Sequence, residues 1–247
     1  MGKIITVWGS PASGKSTLAG ILARYYAEKG KSTLLVSFDV DVPMLPLWLP
    51  NEDVPQSQSL GSILTTKDLS TDVVVRKVQP YMPQQNIGFI GYCAGDKFMD
   101  YPTSYSKIIE ALKVMREVSD VLILDAATSL SNVTVPAAIE MADKVICTLT
   151  PTLKGVNYYK SNLPLLQTDK FNIDEQIKVL NQAKRSHAVE EASAAVDKAD
   201  IILPYDANVE NASLGGEMVN TLQFCKGKKP YNLLFEMIER SVLDVKT

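Results

Sequence analysis

The stretch Lys3-Ile4-Ile5-Thr6-Val7-Trp8-Gly9-Ser10-Pro11-Ala12-Ser13-Gly14-Lys15-Ser16-Thr17-Leu18 decides the fold. Its first part, Ile4–Trp8, is a short apolar, β-branched run suited to a buried strand. Its last part opens Ser16–Lys29, where Leu18, Ile21, Leu22 and Tyr25 recur at helical spacing and Gly30 stands where a C-terminal cap belongs. Between them Gly9 to Ser16 match GxxxxGK[ST] in full. Glycines let such a loop curl so that successive N–H groups face inward, and the helix that follows adds the positive end of its dipole. Lys15 is expected to reach the β- and γ-phosphates, Ser16 to put its hydroxyl on Mg²⁺, and Thr17 to support the α-phosphate. ATP with Mg²⁺ is therefore the expected ligand, with ADP as the product form.

The alternation continues to the other end of the chain. Thr33–Phe38, Asn86–Tyr92, Val121–Leu124, Lys144–Leu149, Ile177–Leu180 and Ile201–Leu203 read as further strands. Thr103–Val118, Val133–Met141, Leu153–Leu166, His187–Val196 and Asn232–Leu243 read as helices. Continuous Val/Ile/Leu strands separated by helices predict an α/β fold, a three-layer, doubly wound and mostly parallel sheet. With 247 residues and no repeat or linker, one nucleotide-binding domain over 1–247 is expected. The exception to the rhythm is 42–71, which holds Pro43, Pro46, Pro50 and Pro55. It reads as an extended excursion with short helical turns, serving either as a switch or partner surface or as a variable loop.

Two carboxylates end strands. Asp125 closes Asp120-Val121-Leu122-Ile123-Leu124-Asp125, the form of a Walker B motif that serves Mg²⁺. Asp39 follows Leu34-Leu35-Val36-Ser37-Phe38, where a carboxylate beside the γ-phosphate can orient water or reach Mg²⁺ through a bridging water. Asp41 reads instead as a stabiliser of the turn that follows.

Composition is that of a globular protein, 46% hydrophobic and 21% charged. A net charge of −3 supplies no general attraction to nucleic acid or anionic membrane, and Lys226-Gly227-Lys228-Lys229 reads as a solvated loop. Cys93, Cys147 and Cys225 lack metal-ligand or CxxC spacing and read as small apolar residues. His187, the single histidine, reads as a solvated loop residue or a helix start. No signal-peptide pattern precedes the first strand, and no apolar stretch reaches the roughly 18 to 20 residues of a membrane span, so a cytoplasmic location is expected.

The P-loop, the strand-ending Asp39 and the later Asp125, in that order, resemble the MinD/ParA superfamily of P-loop ATPases. The resemblance extends to Ala142-Asp143 before a strand and Thr150-Pro151 after it, and to Asp200-Ile201-Ile202-Leu203-Pro204-Tyr205-Asp206. It implies that Asp39 assists water attack, that Asp125 serves magnesium, and that Asn181, Pro204 and Asp206 flank the base. The family's signature lysine early in the loop is replaced here by Ser10, with Pro11 and Ala12 in place of glycines. That lysine reaches a partner's nucleotide across a dimer in relatives, so its loss bears on ATP-driven homodimerisation and on turnover. The chain is in this respect similar to the divergent TadZ/CpaE branch of pilus assembly.

Three functions compete. One is a slow ATPase that switches or positions an unidentified protein partner in secretion, pilus, partition or conjugation machinery. The second is a small-molecule or nucleotide kinase, which needs several arginines around the transferring phosphoryl group, whereas Arg24, Arg76, Arg116, Arg185 and Arg240 are scattered. The third is a nucleotide-binding scaffold without hydrolysis. The apolar positions of the last helix, Leu233, Leu234, Phe235, Met237, Ile238, Val242 and Leu243, read as core packing, because its polar side is not basic enough for anionic lipid.

Overall fold

The computed structural model describes residues 1–50, 52–81, 84–168, 170–171, 173–216 and 228–242, the side chains of 174 and 242 excepted. Cys225, Lys226, Gly227 and Leu243 lie outside that set, as does the side chain of Val242. In chain order the elements are β1 (Lys3–Gly9), α1 (Lys15–Glu28), β2 (Thr33–Ser37), α2 (Leu45–Trp48), α3 (Leu60–Leu64) and α4 (Thr71–Lys77). There follow β3 (Gln79–Pro80), β4 (Ile87–Ile90), α5 (Tyr105–Glu117), β5 (Val121–Asp125), α6 (Thr134–Met141) and β6 (Lys144–Leu149). The last are α7 (Leu153–Leu166), β7 (Ile177–Ala183), α8 (Val189–Ala195), β8 (Ile201–Pro204), α9 (Ala207–Leu214) and α10 (Lys228–Val242).

The strands form one eight-stranded sheet in the order β3-β4-β2-β5-β1-β6-β7-β8. Every pairing is parallel except β3 with β4. The doubly wound α/β architecture is thus observed. Side chains alternate across the sheet as the strand period demands. Ile5, Val7, Leu35 and Ile123 point to one face, where α1, α2 and α10 pack; Ile4, Leu34, Leu122 and Leu124 point to the other, under α3 to α6. Trp8, Cys147 and Leu180 on this second side continue beneath α6, α7 and α8. Thr6 interrupts the apolar run of β1, and its hydroxyl donates to the Ala138 carbonyl at 2.7 Å, so the buried oxygen is not left unpaired.

Several details depart from the sequence reading. The strand Asn86–Tyr92 contracts to four residues, and the short antiparallel edge strand β3 was not predicted. Helices α4 and α9 were not predicted either. The excursion does contain short helical turns, and Trp48, Leu60, Ile63 and Leu64 are buried, so this segment is packed along part of its length. Tyr231, Leu234, Phe235 and Ile238 of α10 are buried, and the Phe235 ring stacks on Tyr25 of α1 at 3.9 Å. Core packing therefore accounts for this face of α10 except at Leu233, which is exposed because it lies off the stripe that Tyr231, Leu234 and Ile238 form against the sheet. No helix among the described residues is long and apolar enough to cross a membrane.

Candidate functional site

The strand order puts β1 between β5 and β6, and β5 between β2 and β1. Register then sets Val7 and Ser37 on either side of Asp125, and Gly9 beside Thr148. All four strands end at one edge of the sheet, so the loops after β1, β2 and β5 converge there, as in open α/β sheets generally.

The phosphate loop is fixed by its own backbone and by its neighbours. Gly9 has φ 148° and lies so close to β6 that a Cβ would meet the Thr148 carbonyl oxygen at 1.8 Å. Gly14 has φ 79°, and a Cβ there would approach Asn181 Nδ2 to 2.7 Å. Only glycine satisfies both demands. Ala12 also adopts a left-handed φ of 54°. The Ser13 and Thr148 hydroxyls lie 2.6 Å apart, and Ser10 N–H donates to the Thr148 carbonyl at 3.0 Å. Ser10, 1% exposed, turns its hydroxyl inward to accept the Thr150 backbone N–H.

Lys15 is buried and its ammonium donates to Thr128 Oγ1 at 2.9 Å and to the Ser10 carbonyl at 3.3 Å. Burial lowers its pKa, while the charges of Asp125 and Asp39 oppose that fall. Asp125 is 1% exposed. Burial pushes its carboxyl up to about 6, against the opposing effects of Ser16, Lys15 and Ser37. Its Oδ2 accepts from the Ser37 hydroxyl at 3.1 Å, whereas Oδ1 is buried without a hydrogen-bond partner. An orphaned buried carboxylate oxygen beside a hydroxyl such as that of Ser16 fits a hard divalent cation, which takes few protein ligands when phosphates and water supply the rest. Among the described residues no group of three His, Cys, Asp or Glu could form a cage for a metal ion on its own.

Asp39 also borders the loop. Its Oδ1 accepts the N–H groups of Asp41, at 3.1 Å, and of Val42, at 2.9 Å. The turn after β2 is therefore held by Asp39 and not by the side chain of Asp41, because a carboxylate caps the amides two and three positions on. A cavity of about 410 Å³ is lined by Pro11 to Thr17, Asp39 and Thr128, and on the far side by Val42, Met44, Leu47 and Trp48 of the excursion. Lys15 is the only basic side chain among its described lining residues.

A second cavity, about 130 Å³, adjoins Gly14 and Thr17. Asn181, Pro204 and Asp206 all line it, together with Gln182, Tyr205 and Tyr231. Asp206 caps α9 by accepting the Asn208 N–H at 2.9 Å, and Thr17 Oγ1 lies 3.3 Å from Ser213 Oγ on that helix. Strand β7 is irregular between Leu180 and Ala183, and Gln182 has φ 58°. There Asn181 Nδ2 donates to the Ser13 carbonyl at 2.8 Å and Gln182 Nε2 to the Ala12 carbonyl at 3.2 Å. None of the five arginines lines either cavity.

The structure thus gathers Gly9 to Thr17, Asp39 and Asp125 at one site, and Asn181, Pro204 and Asp206 at its neighbour. Thr128, Gln182, Ser37 and Thr148 were not singled out in the sequence. The contacts that define them span from 88 to 170 positions and carry no local motif.

No family model and no curated protein matches the chain. Solved structures do match its fold. The cell division ATPase MinD of Pyrococcus furiosus superposes with a TM-score of 0.75 at 20% identity, over 97% of this chain and 99% of that one. MinD of Pyrococcus horikoshii, complexed with Mg-ADP, gives 0.73 at 18% identity, over 97% of both chains. A ParA family ATPase of Chlorobium tepidum gives 0.78 at 17% identity, over 95% and 98%. The chain has the fold of these ATPases along nearly its whole length.

Proposed function

We propose that this protein binds Mg-ATP and acts as a slow, MinD/ParA-like ATPase whose nucleotide state switches or positions a protein partner. The observation that carries this reading is the meeting of Lys15, Ser16, Asp39 and Asp125 at one phosphate loop, in a chain with that fold. When bound, Mg²⁺ neutralises phosphate charge and polarises the terminal phosphoryl group. Ser16 and Asp125 hold the cation, the loop amides and Lys15 bind the phosphates, and Asp39 orients water. The missing arginines count against phosphoryl transfer to a small acceptor, which leaves water as the acceptor. The inward Ser10 lends support to slow turnover, since it offers no cation to a second copy of the chain.

The test is Mg-ATP binding by calorimetry with phosphate release and size exclusion alongside. Wild type is expected to bind, to release phosphate slowly, and to lose binding by at least about 100-fold in Lys15→Ala, on the scale of a lost charged contact. Equal binding by the two proteins, or transfer of phosphate to a nucleoside, would overturn the reading.

A further inference from the structure

Asn181 sits where the family resemblance places a base-contacting residue, yet its amide is engaged elsewhere. Its Nδ2 donates to the Ser13 carbonyl at 2.8 Å, and its Oδ1 accepts the Gln182 N–H at 2.8 Å. Asn181 is 7% exposed, so these bonds are sheltered from water. Gln182 repeats the pattern one peptide earlier, on the Ala12 carbonyl. We infer that Asn181 and Gln182 are positioning residues of the phosphate loop, Asn181 aiming the Gly14 amide at a di- or triphosphate and Gln182 holding the loop's internal turn closed, and that they do not select the base.

The reason lies in the peptide unit. Across a trans peptide the C=O and the following N–H point in opposite directions. Holding the Ser13 carbonyl toward β7 therefore turns the Gly14 N–H away from β7, into the cavity lined by Ser13, Gly14 and Lys15. Holding the Ala12 carbonyl likewise turns the Ser13 N–H inward across the loop, where it donates to the Ser10 carbonyl at 3.2 Å. Both Ala12 and Gln182 have left-handed backbone, a conformation that costs non-glycine residues free energy and persists where surrounding bonds fix it. The irregularity in β7 between Leu180 and Ala183 is what brings two consecutive amides to bear on the loop. An anion nest needs donors aimed before the anion arrives, because preorganisation removes the cost of turning them.

This inference rests on the nucleotide-binding reading, and a base-free ligand separates the two. Binding of Mg-ATP, Mg-GTP and magnesium tripolyphosphate is compared in wild type, Asn181→Ala, Asn181→Asp and Gln182→Ala, with the ligand-free melting temperature of each. Asn181→Ala is expected to weaken Mg-ATP and tripolyphosphate by the same factor, about tenfold, with the ATP-to-GTP preference unchanged and the ligand-free melting temperature lowered by only about 2–4 °C. Asn181→Asp, which keeps the shape but faces the Ser13 carbonyl with an acceptor, is expected to lose at least as much. In amide spectra at saturating tripolyphosphate the Gly14 resonance should shift less in Asn181→Ala than in wild type. Unimpaired tripolyphosphate binding by Asn181→Ala, with ATP binding or base preference lost, would make Asn181 a base reader and overturn the inference. Wild type that binds neither ligand would overturn the nucleotide-binding reading itself.

Discussion

The ammonium of Lys15 and the hydroxyl of Thr128 lie 2.9 Å apart, one from the first turn of α1 and the other from the loop after β5. In the ligand-free protein this bond satisfies a buried cation that would otherwise be poorly solvated. A phosphate ligand competes for the same ammonium. Thr128→Val is therefore expected to lower ligand-free stability by about 1–2 kcal/mol, read by urea unfolding. Mg-ATP should bind this variant as tightly as wild type or slightly more tightly, because the free state has lost a partner. A large loss of affinity would mean that Thr128 touches the ligand.

Asp125 gives a pH dependence to the metal-free protein. Its folded pKa, about 6, lies above its ordinary value of 3.8 because of burial. The folded state then holds the proton more tightly than the unfolded state. This contribution to stability is complete below pH 4 and is lost as pH rises through 6. Asp125→Asn should thus raise the melting temperature without Mg²⁺ by about 5 °C at pH 7.5 and leave it nearly unchanged at pH 4. Equal shifts at both values would locate the effect outside the ionisation of Asp125.

Asp39 does two things that a substitution can separate. Its carboxylate borders the phosphate cavity and also accepts the Asp41 and Val42 amides. Asp39→Asn keeps an acceptor oxygen for the turn but removes the charge. Phosphate release should fall by about 100-fold, with Mg-ATP affinity within about threefold of wild type. Asp39→Ala should in addition expose the start of the excursion to proteolysis near Val42. Unaltered phosphate release in both would remove Asp39 from the water-orienting role.

Ser10 is tied into its own protomer through Thr150. Ser10→Ala leaves the Thr150 N–H without that acceptor and should cost about 1 kcal/mol in urea unfolding. Size exclusion with and without ATP should give the same elution for Ser10→Ala as for wild type. A change in oligomeric state would show that the Ser10 hydroxyl works between copies of the chain.

Much of this fold could be read because its strands are buried on both faces and carry unbroken Val/Ile/Leu runs. The phosphate loop could be read because its chemistry demands particular residues at particular spacing. What escaped was structure without a periodic signal. Helix α9, Ala-Asn-Val-Glu-Asn-Ala-Ser-Leu, has no buried residue, so no apolar stripe marks it. Helix α4 carries the β-branched run Val73-Val74-Val75, which hides the start signal in Ser70, whose hydroxyl accepts the Val73 N–H. Strand β3 is two residues long and ends in proline. At the site, Asn181 follows a strand where the resemblance gives it meaning, whereas Gln182 carries no signal, since a glutamine amide aimed at a carbonyl 170 positions away looks like any surface glutamine in sequence.

The stacking of Tyr25 on Phe235 has a consequence for how the chain is made. Tyr25 also donates its hydroxyl to Glu239, 214 positions away. A chain emerging from the ribosome completes the phosphate loop early, but one face of α1 stays uncovered until α10 has been synthesised and has docked. At roughly 5–20 residues per second that interval lasts on the order of 10–40 s. Throughout it, Tyr25 lacks the ring and the carboxylate that cover it in the finished protein. The helix that carries Lys15 is thus translated well before the partner that covers its far end.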